Sequence, residues 1–250
     1  MAACGLVTDR KNFVAGLASF VLLPSLSAKG RPVKTPLLLD TKRMAIHDGP
    51  GIRTTFFVKG CPLHCIWCHN PEAIAAERQT ARFRHLCRHC AKCTMDESTC
   101  PTRALKFYGK PATIDALVAK ALEDKPFYDR SGGGVTLSGG EPLFFWEWAH
   151  AFLSACRAAG LHTCLDTSLY APPAAVERLL PVVDMWLADF KCDDDATHRR
   201  YTGVSNVVIK RNLERLVAAK AKRGALSGGA RLHRGHARTL RLARVGRHRA

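Results

Sequence analysis

Two periods of apolar residues alternate along the chain. Short β-branched and aromatic runs predict strands at Ile52 to Val58, Val135 to Leu137, His162 to Asp166 and Met185 to Phe190. Between them the spacing becomes helical. From Ile114 to Glu123, the residues Ile114, Leu117, Val118, Ala121 and Leu122 share one face, and Thr113 stands at the N-cap position. Phe145 to Ala159 reads as a helix stopped by Gly160. Pro172 to Leu180 reads as a helix with proline at its start. Ser205 to Ala219 reads as a helix packed through Val208, Leu213, Leu216 and Val217. Strands alternating with helices predict an α/β fold, with a parallel sheet and helical crossovers. In such sheets functional groups gather beyond the carboxyl ends of the strands. Four polar segments fall there: the loop after Val58, Gly139-Gly140-Glu141-Pro142, Asp166-Thr167 and Asp189-Phe190-Lys191.

The pattern fails at both ends. Arg10 and Lys11 precede an apolar run from Phe13 to Leu26 that ends near Ser27-Ala28. This is the layout of a secretory signal, but Pro24 breaks the run and it is short for a membrane span. Residues 1–35 are therefore expected to be an extension, signal-like or mis-started. After Ala219 the chain shows no strand-like run and is dominated by Arg, Ala, Gly and His. Residues 220–250 are expected to be a basic, disordered, low-complexity tail, native or frame-shifted. The main domain is then 36–219, with a cysteine-rich insert at 80–110.

At 250 residues and 47% hydrophobic, the chain can build one ordinary core. Seven of its eleven cysteines lie between Cys61 and Cys100 in two close-spaced groups. Such grouping favours metal ligation over a disulfide framework, hence a reducing compartment, the cytoplasm. Cys4, Cys156, Cys164 and Cys192 are scattered and read as buried small hydrophobes. The net charge of +17 raises the question of nucleic acid. Ten Lys or Arg and no Asp or Glu lie from Lys220 to Ala250, yet no aromatic residue is interleaved there. A base-stacking surface is not implied, and no nucleic-acid or stable membrane partner is expected.

Cys61, Cys65 and Cys68 form a C-x3-C-x2-C triplet. Three thiolates can hold three irons of a [4Fe–4S] cubane and leave the fourth iron open to a small molecule. The spacing is too tight for strands, so a loop must wrap the cluster, and Gly60 and Pro62 suit one. A structural zinc knot uses similar residues. Cys87, Cys90, Cys93 and Cys100 resemble a ferredoxin quartet with a longer last gap, which allows one fully ligated cluster or a four-thiolate zinc site. By themselves, Gly139 to Pro142 could be a strand-ending turn, and Asp166 and Asp189 could cap helices.

The stretch from His47 to Glu72 closely resembles the signature of the glycyl-radical-enzyme activating enzymes. These belong to the radical S-adenosylmethionine (SAM) superfamily and include the pyruvate formate-lyase activating enzyme. Gly49, Gly51, Arg53, Phe57 and Gly60 precede the triplet at that family's positions, and Trp67, His69, Asn70 and Pro71 follow it. The resemblance covers roughly Leu38 to Leu216. It implies a partial parallel (β/α)6 barrel, here truncated after four βα units, and a SAM-binding [4Fe–4S] cluster on Cys61, Cys65 and Cys68. Gly139, Gly140, Glu141 and Pro142 match the turn that binds the SAM amino group. Asp166 and Asp189 match aspartates that help hold a monovalent cation, with a backbone oxygen at Leu187, and Lys191 matches a lysine that pairs with the SAM carboxylate. The implied activity is reductive cleavage of SAM to install a glycyl radical on a partner enzyme. A small donor protein such as flavodoxin or ferredoxin would supply the electron. The chain departs from the family at Leu169, where glycine is usual, in having a single cysteine quartet, and in lacking a strand and Val-Pro-Gly-like turn after Ala219. A truncated non-catalytic cluster protein, or a nucleic-acid module acting through the tail, remain the other readings.

Overall fold

The computed structural model of the protein describes residues 34–222 and 238–243. The signal-like segment, and the tail apart from 220–222 and 238–243, lie outside the described residues. In chain order the elements are β1 (Leu38–Ala45), β2 (Arg53–Val58), a 3-10 turn (Pro71–Ala73), β3 (Gln79–Arg82), β4 (Leu105–Tyr108), α1 (Ile114–Leu122), α2 (Lys125–Ser131), β5 (Gly134–Gly139), a second 3-10 turn (Pro142–Phe145), α3 (Trp146–Ala158), β6 (Thr163–Thr167), α4 (Pro173–Leu179), β7 (Met185–Phe190), α5 (Asp195–Thr202), α6 (Val207–Lys222) and β8 (Arg238–Ala243). They divide into two compact units: residues 79–108, and the remainder of the described chain. Among the described residues no helix is long and apolar enough to cross a membrane.

The larger unit is a mixed α/β structure on a six-stranded sheet of order β1-β2-β5-β6-β7-β8. The inner strands β2, β5, β6 and β7 are mutually parallel. Register places Phe56, Leu137, Leu165 and Trp186 side by side, and none of them is exposed. This apolar row belongs to the face that α3 covers: the Phe56 and Phe152 rings meet edge-on at 5.5 Å, and Trp148 stacks on Phe152 at 5.5 Å. Because side chains alternate along a strand, Phe57, Ser138, Asp166 and Asp189 belong to the opposite face at the carboxyl ends. One pattern thus separates core from candidate site.

Polar groups inside β2 are fully accounted for, as burial requires. Arg53 is completely buried and donates to Thr136 Oγ1 at 2.7 Å and to the Pro50 carbonyl at 3.1 Å. Burial lowers its pKa. Thr54 donates to Asp124 at 2.7 Å, and Thr55 to Asp48 at 2.7 Å.

Two expectations need correction. The sheet does not stop at four strands. β1 pairs antiparallel with β2, although its burial is too irregular to show an alternating pattern. At the other edge, Arg238–Ala243 pairs antiparallel with β7 from Met185↔Ala243 to Phe190↔Arg238. Part of the tail expected to be disordered is therefore a strand, and the β7 edge is not bare. An edge strand offers unpaired N–H and C=O groups to any extended segment. The segment RTLRLA is short of the Gly and His that dominate its surroundings. Two helices also escaped the sequence reading: α2, and the polar α5, whose N-cap Asp194 accepts from Thr197 N at 2.7 Å and which Gly203 ends in a left-handed conformation.

The smaller unit is built on the antiparallel β3–β4 pair, from Gln79↔Tyr108 to Arg82↔Leu105. Its four cysteines lie between the two strands in sequence.

Candidate functional site

The loop after β2 is tied down on two sides. Gly60 N donates to Ala73 O at 2.8 Å, and Cys61 N to Ile74 O at 2.9 Å. Further along, His64 N donates to Thr202 O at 2.8 Å and Ile66 N to Tyr201 O at 3.1 Å, so α5 holds the far arm of the loop. The Trp67 and Tyr201 rings lie 5.7 Å apart. Gly60 has φ of 109°, and a Cβ there would come within 2.7 Å of the Phe145 ring.

A cavity of about 420 Å³ opens at the carboxyl ends of the parallel strands. Cys61, Cys65 and Cys68 line one part of it, and Gly139, Gly140, Asp166, Asp189 and Lys191 are also in its lining. Sequence reasoning missed Ser138 and Ser168 in the same wall, and it placed Phe57 and Thr167 in the motifs without giving either a role in the site. The signal for the two serines was alternation: Ser138 stands two positions before Gly140 and Ser168 two positions after Asp166. The volume falls within the range of about 300–1,000 Å³ usual for small-molecule sites.

Glu141 and Pro142 do not line this cavity. The Glu141 side chain is buried. Oε1 accepts from Leu143 N at 2.9 Å and Thr167 Oγ1 at 2.6 Å, and Oε2 accepts from Ser168 N at 2.8 Å and from the Ser168 hydroxyl. It clasps the end of β5 to the end of β6. Burial pushes its pKa up, against these four donors. The two glycines before it admit neighbouring backbone. A Cβ on Gly139 would overlap the backbone of Val58, and one on Gly140 would overlap the Gly60 carbonyl. Gly140 N and Glu141 N donate to Val58 O and Gly60 O at 2.8 and 2.9 Å, which extends the β2–β5 pairing into the cysteine loop.

The cavity is electrostatically loaded. Burial pushes the Cys61 thiol up to about 12 and raises Cys65 as well, so neither is a reactive thiolate unless a metal displaces its proton. Asp166 accepts from Ser138 Oγ at 2.8 Å, and burial raises its pKa to about 6. Asp189 Oδ2 accepts from Lys191 Nζ, while its buried Oδ1 has no partner. Burial works against the Lys191 ammonium, but Asp189 outweighs it and the pKa is raised. A buried, unpaired carboxylate oxygen is costly, and a cation or a donor group would satisfy it.

In the smaller unit Cys87, Cys90, Cys93 and Cys100 line one cavity of about 90 Å³. Burial opposes ionisation of Cys100, but the Thr102 hydroxyl and the N–H groups of Ala104, Thr102 and Leu105 hold its pKa below the ordinary value. No cysteine of either group is in a disulfide. Among the described residues no three Cys, His, Asp or Glu side chains converge tightly enough for a single metal ion. Ligands of a cubane bind separate irons and stand further apart.

A protein-family profile described as a 4Fe-4S single cluster domain matches residues 47–210. The chain is 38% identical to the (2S)-3-sulfopropanediol dehydratase activating enzyme of Klebsiella oxytoca, over 74% of this chain and 68% of that one. It is 34% identical to the benzylsuccinate synthase activating enzyme of Thauera aromatica, over 76% and 67%. It is 41% identical to the pyruvate formate-lyase 2-activating enzyme of Escherichia coli K12, over 72% and 59%. The protein belongs to the family of glycyl-radical-enzyme activating enzymes, iron–sulfur proteins of the radical SAM class.

Proposed function

We propose that the protein reductively cleaves SAM and installs a glycyl radical on a partner enzyme. One observation supports this above the others: the cysteine triplet, the glycine turn, Asp189 and Lys191 all line a single cavity. Cys61, Cys65 and Cys68 would hold the [4Fe–4S] cluster. A cluster held there would supply the one-electron reduction of SAM on which hydrogen abstraction from a glycine α-carbon depends. The chain's own residues position and shelter. Lys191 offers its ammonium to the SAM carboxylate. Gly139 and Gly140 present backbone to the amino group. Asp166 and Asp189 hold a monovalent cation, for which the unpartnered Asp189 oxygen is a suitable ligand. Glu141 acts through the clasp on Thr167 and Ser168, not by touching the cofactor.

The four insert cysteines are read as ligands of one auxiliary cluster. All four line one cavity, as the ligands of one shared cluster must. The parallel strands are read as the first four units of a (β/α)6 barrel, in a domain spanning 36–219 with its insert at 80–110. The electron donor is a small protein such as flavodoxin or ferredoxin, and the setting is the reducing cytoplasm. A second reading rests on β8. The place where a barrel would add a fifth parallel strand holds an antiparallel one, which favours a protein of reduced competence. Anaerobic reconstitution followed by measurement of 5′-deoxyadenosine, with and without a glycyl-radical enzyme, separates the two. Partner-stimulated formation is expected. An iron-loaded protein that forms none supports the second reading.

A further inference from the structure

The smaller unit carries a charge pattern that its cysteines do not require. Between Gln79 and Tyr108 there are six Lys or Arg and two Asp or Glu. Both acids serve local structure: Asp96 accepts from Ser98 N at 2.8 Å, and Glu97 from Phe107 N at 2.8 Å. Arg82, Arg88 and Lys92 are exposed and line the same cavity as the four cysteines, against one half-buried acid there, Asp96. No ion pair engages Arg88 or Lys92 among the described residues. Cys90 and Cys93 are themselves exposed. A thiolate-held group here would therefore meet solvent at a cationic rim.

We infer that this rim is the docking surface for an acidic one-electron carrier protein, and that the insert receives its electron. The inference rests on the proposed reading that the four cysteines hold a cluster. The step balances simply: the carrier is oxidised by one electron and the insert cluster is reduced by one. Two features favour a redox carrier over a nucleic acid. The cations surround a cysteine cavity, and none of the insert's aromatic residues, Phe83, Phe107 and Tyr108, is exposed as a stacking platform. Exposure of two ligand cysteines also suits electron transfer, which needs close approach. Opposite charge across such a contact mainly raises the rate of encounter, by about 10- to 1,000-fold, and salt screens it.

The test uses the reconstituted full chain and its Arg88→Glu/Lys92→Glu variant, each with measured iron content. The probe is reduced flavodoxin of low isoelectric point, and 5-deazariboflavin radical generated by light is the small neutral control. Binding is followed by calorimetry at low and high salt, and cluster bleaching by stopped flow. The expected result is binding weakened at least about tenfold, and slowed bleaching by flavodoxin, with iron content and bleaching by 5-deazariboflavin unchanged. High salt should abolish the difference. Equal binding and equal bleaching by flavodoxin in an iron-complete variant overturns the docking inference and leaves the cluster reading intact. Loss of single-stranded oligonucleotide binding, with flavodoxin unaffected, overturns it in favour of a nucleic-acid surface. If a Cys61→Ala/Cys65→Ala/Cys68→Ala protein holds no iron, the auxiliary cluster itself is refuted and the inference falls with it.

Discussion

Between Gly60 and Ile66 the backbone is tied to Ala73 and Ile74 on one side and to Tyr201 and Thr202 on the other. Around Cys87 and Cys100, among the described residues, the backbone–backbone bonds run to Phe83, Arg84 and Arg103, a few residues away. The two cysteine groups thus differ in what shapes them. The triplet sits on a loop that the sheet and α5 have already formed. The quartet sits in about thirty residues with one short hairpin, too few to bury a core that is stable unaided. The first site should be preorganised for its cluster, whereas the second should be organised by what it binds.

The largest test removes the ligands of each group in turn. Cys90→Ala/Cys93→Ala should raise amide hydrogen exchange across 83–104 about a hundredfold, since metal-dependent folds lose most of their protection with the metal. Cys61→Ala/Cys65→Ala/Cys68→Ala should abolish 5′-deoxyadenosine formation yet leave exchange at 60–68 within about tenfold of the parent, the loop being held by protein bonds. Similar exchange changes in both variants would erase the contrast.

A smaller effect is expected at the junction that preorganises the triplet. Gly140→Ala forces a Cβ into the Gly60 carbonyl. Backbone cannot give way as a flexible side chain can, so the cost should be about 1–3 kcal/mol in urea unfolding of the larger unit. Exchange in the insert should not change. A shift below about 0.5 kcal/mol would mean that the turn tolerates a side chain.

The smallest expected effect concerns acid. Asp184 pairs with Arg157 and accepts from Thr163 N at 3.0 Å. Burial opposes its charge, but Thr163 N–H and Arg157 prevail and its pKa is lowered. A lowered carboxylate contributes stability that is fully present above its unfolded value of about 3.9 and is lost as pH falls through the folded value. Asp184→Asn should cost about 1 kcal/mol at pH 7 and flatten the decline of stability below pH about 4. An unchanged acid limb in the variant would assign that limb to other groups.

The parallel strands were legible because strands buried on both faces leave unbroken β-rich runs between helical periods, as in Val135 to Leu137 and Met185 to Phe190. β1 was not, because an exposed edge strand needs no apolar alternation. α5 was not, because its residues Asp195 to Thr202 are almost all polar, and it forms through its Asp194 cap and its contacts with the loop. Composition likewise hid β8, whose partner is a strand edge fifty residues earlier.

The candidate site divides in the same way. Close cysteine spacing along the chain pointed to metal ligation at Cys61, Cys65 and Cys68 and at the insert quartet, because ligand chemistry is a property of the side chain itself, while the roles expected of Asp189 and Lys191 came from resemblance to the family. Only the fold decided that Glu141 turns inward to bind Thr167 and Ser168, that Gly139 and Gly140 make room for Val58 and Gly60, and that Ser138 steadies Asp166. Each of these depends on which strands become neighbours and in what register. Register is set by the apolar row from Phe56 to Trp186 packing as one face, and no local stretch of sequence contains that row.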